Sequence, residues 1–201
     1  MAATATPYGL RAVNLIGGTP FAGSTRQISI ASGYGTNIFN GSIVSIVAAG
    51  TIEIVTTNGD NSTGFPAGTI GVFVGCRYTD PSTSQLTFNQ RWPTGTVASD
   101  AMAYIVDDPN AVFQAQADGA VTQADLGQNT YLAAVQSTST GSTITGNSTS
   151  ALTATTATTS GMAFRIVDFV DGPDSTIGDA YTDLLVKFNP DSHSYLNKTG
   201  I

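Results

Sequence analysis

The stretch TIGVFVGCRYT (69–79) decides the fold of this chain. It is rich in β-branched and aromatic residues, and apolar side chains occur on both alternating sets of positions. A strand with one face in water alternates apolar and polar residues, whereas a strand covered on both faces is apolar throughout. We therefore expect residues 69–79 to form the central strand of a β-sheet.

Strand patterns continue on both sides of this run. SIVSIVAA (42–49) and TIEIVT (51–56) flank an Ala-Gly turn and predict a hairpin. LTFNQRW (86–92) follows a turn sequence at 80–85 and predicts a second hairpin, with 69–79 as its other strand. Similar patterns predict strands within RQISIA (26–31), AMAYIVDD (101–108), AVFQAQAD (111–118), GMAFRIVDFVD (161–171) and AYTDLLVKFN (180–189).

Helical signals are confined to one place. Thr122, followed by Asp125 three residues later, predicts at most a short helical turn around 122–127. About ten short strands at this spacing are typical of antiparallel sheets that close or stack. We therefore predict an all-β protein, an antiparallel β-barrel or sandwich with an extended N-terminal arm.

The arm is residues 1–25, which combine Pro and a Gly-Gly pair with large apolar side chains. Such a segment is expected to lie on something, either its own domain or a neighbouring subunit. Residues 26–106 are predicted to form the β-barrel or sandwich core, and 107–201 a second β-subdomain packed on it. The boundary is Asp-Asp-Pro-Asn at 107–110, although a tight loop inside one single domain explains that sequence equally well.

A Ser/Thr-rich tract, 137–160, interrupts the second half. Because Thr has high β-propensity and strand patterns resume after the tract, we expect it to belong to the folded body rather than to act as a linker. We predict a long surface loop at 137–148 and an extended segment at 149–159. Ile144 and Leu152 are the expected apolar anchors.

Composition limits the partners. The net charge is −7 and the seven Lys and Arg residues are scattered, so no nucleic acid is expected to bind. The sequence has no run of about 18 apolar residues, so no membrane span is predicted. The N-terminus does not resemble an export signal, so synthesis in a cytoplasm is expected. The one cysteine, Cys76, lies in an apolar run and is predicted to be a buried, inert thiol.

Reactive groups are few. The one histidine, His193, lies among turn residues and is predicted to be exposed. The segment 58–64 resembles the start of a calcium loop but lacks the Glu that would complete it. Asp residues at 171, 174, 179 and 183 are expected to serve turns rather than catalysis, and Trp92 to be packed. We therefore predict no enzymatic activity and no cofactor or metal.

Four stretches carry a family resemblance: ATPYGLRAVNLIGGTPFAGSTRQISIA (5–31), GVFVGCRYTDPSTSQLTFNQRWPTGT (71–96), DDPNAVFQAQADG (107–119) and VDGPDSTIGDAYTDLLVKFN (170–189). They closely resemble small structural proteins of tailed bacteriophages, including marine and cyanobacterial phages, of the head decoration or cement type. The resemblance spans nearly the whole chain, and the chain departs from the family mainly in 137–160.

This resemblance implies a virion protein on the outer surface of the capsid, made in the host cytoplasm, that braces neighbouring subunits of the major capsid protein. It also implies a homo-oligomer, with a trimer favoured. The alternatives are a tail or fibre component of the virion, or a carbohydrate-binding β-protein. If the arm contacts the shell, deletion of residues 1–20 is expected to leave a folded protein that no longer attaches. The expected capsid contacts are Tyr8, Leu10, Arg11, Leu15, Phe21 and Arg26.

Overall fold

The computed structural model describes residues 4–201 and confirms the all-β fold. These residues form thirteen short strands and two single-turn 3₁₀ helices, at Gln123–Asp125 and Pro190–Ser192. The strands are β1 (Arg11–Leu15), β2 (Arg26–Ser29), β3 (Ile38–Phe39), β4 (Ile43–Ile46), β5 (Ile52–Ile54), β6 (Thr69–Thr79), β7 (Leu86–Asn89), β8 (Arg91–Trp92), β9 (Met102–Val106), β10 (Ala111–Gln116), β11 (Asn129–Thr130), β12 (Phe164–Phe169) and β13 (Asp183–Phe188).

The strands form two large antiparallel sheets and one small one. The six-stranded sheet has the order β2-β9-β6-β4-β5, with β7 also paired to β6. The five-stranded sheet has the order β1-β10-β13-β12-β11. The third sheet is the β3–β8 pair. Both predicted hairpins, β4–β5 and β6–β7, are confirmed.

Strand β6 is central, as its sequence predicts, because a separate core covers each of its faces. The inter-sheet core contains side chains of both large sheets, among them Val72, Phe113 and Phe188. The outer core lies on the other face of the six-stranded sheet and contains Phe73 and Trp92. The register shifts between Phe73 and Gly75, and this bulge places Phe73 and Cys76 on the same face although they are three residues apart.

The predicted boundary at 107–110 is the crossover from β9 in the six-stranded sheet to β10 in the five-stranded sheet. The two halves of the chain nevertheless share the inter-sheet core, which includes Ile43 from the first half and Phe164 from the second. The predicted arm contributes to the same core and supplies β1, the edge strand of the five-stranded sheet.

The Ser/Thr-rich tract is tied to the body by isolated bridges of its backbone. Asn147 pairs with Asn40, and Ala157 pairs with Asn129. Leu152 is fully buried in the inter-sheet core, so the prediction for this anchor is confirmed. The prediction for Ile144 is wrong: its side chain is 95% exposed, because it lies in a turn closed by the bond from the Gly146 N–H to the Ser142 carbonyl (2.8 Å).

Two local predictions have different outcomes. The short helical turn exists, and the Asp125 carboxylate accepts hydrogen bonds from the Thr122 backbone (2.9 Å) and hydroxyl (2.8 Å). The prediction that His193 is exposed is wrong, since only 1% of the residue is accessible. The 3₁₀ turn Pro190–Ser192 directs the imidazole inward, against the Phe188 ring at 5.6 Å between centroids. No helix in the described part of the chain is long and apolar enough to cross a membrane.

Candidate interaction surfaces

The first described residues, from Thr4 on, lie on the five-stranded sheet of the same chain. The Thr6 N–H donates to Oε1 of Gln116 (2.8 Å), and Nε2 of Gln116 donates to the Thr4 carbonyl (3.1 Å). The Tyr8 ring lies under the Arg11 guanidinium, at 4.4 Å from Cζ to the ring centroid. Burial, together with the nearby charge of Asp183, raises the pKa of the Tyr8 hydroxyl. Of the predicted capsid contacts, Tyr8 is therefore held largely by its own chain.

Leu10, Leu15 and Phe21 pack into the inter-sheet core. Leu10 is 1% exposed, and its N–H donates to the Gly41 carbonyl (3.0 Å). Leu15 and Phe21 are half-buried against the same core. Leu10 is therefore part of the protein's own core, and its predicted contact with a capsid stays a prediction.

Arg26 also has a partner in its own chain. Its guanidinium forms an ion pair with Asp107, in the crossover between the two large sheets. The Tyr195 hydroxyl donates to the same carboxylate (2.9 Å), and the Tyr195 ring lies 5.4 Å from the Arg26 guanidinium carbon. This cluster connects β2, the crossover and the C-terminal segment. Because 59% of the Arg26 side chain remains exposed, an internal bond and an outward contact are compatible there.

The N-terminal surface is the name given to three exposed residues of this region, Arg11, Val13 and Ile16. Val13 lies at a register shift between Ala12 and Asn14 and is 41% exposed. Ile16 is 46% exposed at the start of a turn in which the Leu15 N–H donates to the Thr19 carbonyl (2.9 Å). The sequence shows that Val13 and Ile16 are apolar, like Leu10 and Leu15. Only the bulge and the turn show that Val13 and Ile16 are exposed whereas Leu10 and Leu15 pack on the core.

A second exposed apolar group, the β7 edge, consists of Leu86 and Phe88. They are two residues apart on one face of β7 and are 54% and 68% exposed. Phe88 borders a shallow depression of about 230 Å³ that Val74 and Tyr104 also line. The alternating pattern of 86–92 predicts the strand and its apolar face. It does not reveal that the five-stranded sheet leaves this face uncovered.

The polar clusters named from the sequence serve local structure. Asp179 accepts a hydrogen bond from the Thr176 N–H (3.1 Å), and Asp183 accepts one from Nε2 of Gln114 (3.2 Å). Within residues 4–201, no three His, Cys, Asp or Glu side chains converge as a metal site would require. Cys76 is buried as predicted, and burial raises the pKa of its thiol to about 12.

No protein-family model matches the chain, and neither a curated protein nor a solved structure does so.

Proposed function

We propose that the protein is a structural component of a tailed-bacteriophage head, which binds the outer surface of the capsid and stabilises contacts between major capsid protein subunits. It acts by contact rather than by catalysis and reaches the virion from the host cytoplasm. The four stretches that resemble phage decoration proteins supply the class of partner. The N-terminal surface carries the proposal, because Val13 is exposed on a strand that is paired within the domain and Ile16 is exposed directly after that strand.

This surface suits attachment to a protein shell. Val13 and Ile16 are each a little under half exposed, so covering them contributes roughly 1 kcal/mol apiece, about half the value for full burial. Arg11, two residues before Val13, is also exposed and offers guanidinium N–H groups to acidic side chains. Binding of this size is weak for one copy. A homo-oligomer, expected to be a trimer, binds the shell through several linked copies. The high effective concentration of the linked copies raises the overall affinity well above that of one copy.

The test is co-sedimentation with heads of the phage that encodes the protein, prepared without it. We expect the wild type to saturate expanded heads, and the double variant Val13→Asp, Ile16→Asp to bind about 30-fold more weakly, since about 2 kcal/mol is lost. Val97→Asp is the matched control, because Val97 is 66% exposed in a different loop. Failure of the wild type to bind heads contradicts the proposed function. Equal binding by wild type and double variant contradicts only the assignment of the surface.

The structure also changes how this surface is tested. Deletion of residues 1–20, the obvious experiment from the sequence, removes β1 from the five-stranded sheet and Leu10 from the inter-sheet core. If that truncated chain does not bind, the result therefore has two explanations, an unfolded domain and a lost contact, which the experiment does not distinguish. Point substitutions at exposed positions avoid this ambiguity.

The two alternatives make different predictions. A tail or fibre component is found at the tail in averaged images of virions, and a decoration protein is found on the head. A carbohydrate-binding protein needs exposed aromatic rings beside polar groups, but Trp92 is fully buried and its indole N–H donates to the Tyr34 carbonyl (3.2 Å). The depression beside Phe88 is lined by Asn89 and Gln90 among others, and by no Asp or Glu residue of the described chain.

A further inference from the structure

The edges of the two large sheets differ in how they are protected. Exposed strand edges pair readily with other chains, and proteins usually block them with charge, proline, bulges or covering segments. In this protein β1 carries a bulge and a bridge from Asn14 to Pro20, and β2 begins with a charged residue, Arg26. β5 carries Glu53, and β11 is covered by the bridge between Asn129 and Ala157.

β7 has none of these protections. Its four residues, Leu-Thr-Phe-Asn, include no charge and no proline, and its register with β6 is regular from Leu86 to Asn89. Within the described chain β6 is its one partner strand. β7 is therefore the open edge of the six-stranded sheet.

The hydrogen-bond pattern shows which backbone groups are open. The Asp80 N–H donates to the Gln85 carbonyl (2.9 Å), so this pair is a hydrogen-bonded one. In an antiparallel ladder such pairs alternate with pairs that do not bond. In the register of β6 and β7, Thr87 therefore bonds to Tyr78, whereas the N–H and C=O groups of Leu86 and Phe88 point away from β6.

We propose that this edge binds a second copy of the same chain, with the two β7 strands antiparallel about a two-fold axis at Thr87. In this register Leu86 lies opposite Phe88 of the second copy, and the open N–H and C=O groups of each bond to those of the other. The side chains match as well. Leu86 and Phe88 of the two copies form one apolar strip on one face, and the Thr87 residues meet on the other.

Charge supports a second copy as the occupant. Each chain has a net charge of −7, so most surfaces of two copies repel, but residues 85–90 are all neutral. Arg77 lies opposite Phe88 on β6, and Thr79, opposite Leu86, is bonded to Asp100 (2.7 Å). The proposed register therefore places Arg77 of one copy in the same row as Asp100 of the other. Asp100 lies on the side of β6 away from β7, so these opposite charges are more than three strand spacings apart, over about 14 Å, and screening by salt leaves their attraction small.

The area of the contact limits its strength. Stable interfaces bury about 1,200–2,000 Å² in total, and one pair of four-residue strands with two apolar side chains from each copy buries much less. The expected dissociation constant is therefore roughly 0.1–1 mM. Pairing of identical strands uses the edge of both copies and closes as a dimer, so a trimer would have to form through other surfaces. This inference does not depend on the proposed function.

The test combines sedimentation with amide exchange on the full chain. We expect weight-average mass to rise with concentration toward that of a dimer, and Phe88→Lys to weaken this association at least about tenfold. Leu86→Glu is a second variant, and Ile144→Lys is the control, because the Ile144 side chain is 95% exposed and lies outside β7. In the wild type, exchange of the Leu86 and Phe88 amides is expected to slow about two- to fivefold at millimolar concentration, while that of Thr87 stays constant.

Three results would overturn the proposal. The first is a wild-type mass that stays monomeric up to about 1 mM, the upper limit of the expected dissociation constant, at which about half of the chains would be dimeric. The second is association that Phe88→Lys and Leu86→Glu leave unchanged while both variants remain folded. The third is slowed exchange of the Leu86 and Phe88 amides on phage heads alone, which would assign the edge to a different chain.

Discussion

Truncation of one buried side chain, Leu10→Ala, tests whether the start of the chain belongs to the core. Leu10 is 1% exposed and is part of the inter-sheet core that both halves of the chain build. Loss of a buried leucine side chain costs about 2–5 kcal/mol, as transfer energy plus the cavity that remains. We expect about 3 kcal/mol here, which lowers the melting temperature by about 6–12 °C for a chain of this size.

The assay is chemical denaturation followed by two probes. Trp92, the one tryptophan, lies in the outer core, so its fluorescence reports the six-stranded sheet, and far-ultraviolet circular dichroism reports both sheets. Since the two sheets share the inter-sheet core, both probes are expected to shift together. The control is Ile144→Ala at a position that is 95% exposed, which should change the free energy of unfolding by less than about 0.5 kcal/mol.

A loss below about 1 kcal/mol for Leu10→Ala would refute the reasoning, because it would mean that the first residues leave the body without a core cavity. A shift seen by circular dichroism but not by Trp92 would show that the two sheets unfold as separate units.

Two further predictions concern buried titratable groups. Burial lowers the pKa of His193 below its ordinary value, and the nearby carboxylates Asp107 and Asp108 oppose that shift. Since the unfolded state then binds the proton more readily, the free energy of unfolding should be highest above about pH 6.5 and fall as the pH drops toward 5. His193→Gln should flatten this dependence in denaturation curves, and an unchanged slope would contradict it. For Cys76, a thiol pKa of about 12 leaves little thiolate at pH 8, so alkylation should be about 10³-fold slower in the folded protein than in denaturant, and comparable rates would contradict its burial.

The regular parts of the fold could be predicted because their signals are local. The run 69–79 is apolar on both faces, and it forms one strand over the same residues with a core on each side. The turn sequences at 80–85 and around Gly50 locate the two hairpins, since a tight turn leaves only a few registers open. These relations connect residues that are close in sequence.

The candidate surfaces could be predicted only in part. Leu10, Val13 and Ile16 are alike in residue type, and the bulge in β1 and the turn after it decide that the first is covered and the other two are exposed. Surrounding turn residues led to the wrong prediction for His193, because the nearby Pro, Asp and Ser residues form a 3₁₀ turn that lies against the body.

The amino-acid sequence alone establishes an all-β chain, the positions of its main strands, a buried cysteine and a low, dispersed charge. Each of these follows from side-chain type and from spacings of a few residues. Only the tertiary structure decides that the first strand completes the sheet of the second half, and that Phe88 stands outside both cores. The reason is physical: burial depends on which distant segments meet, and the five-stranded sheet ends before it reaches β7.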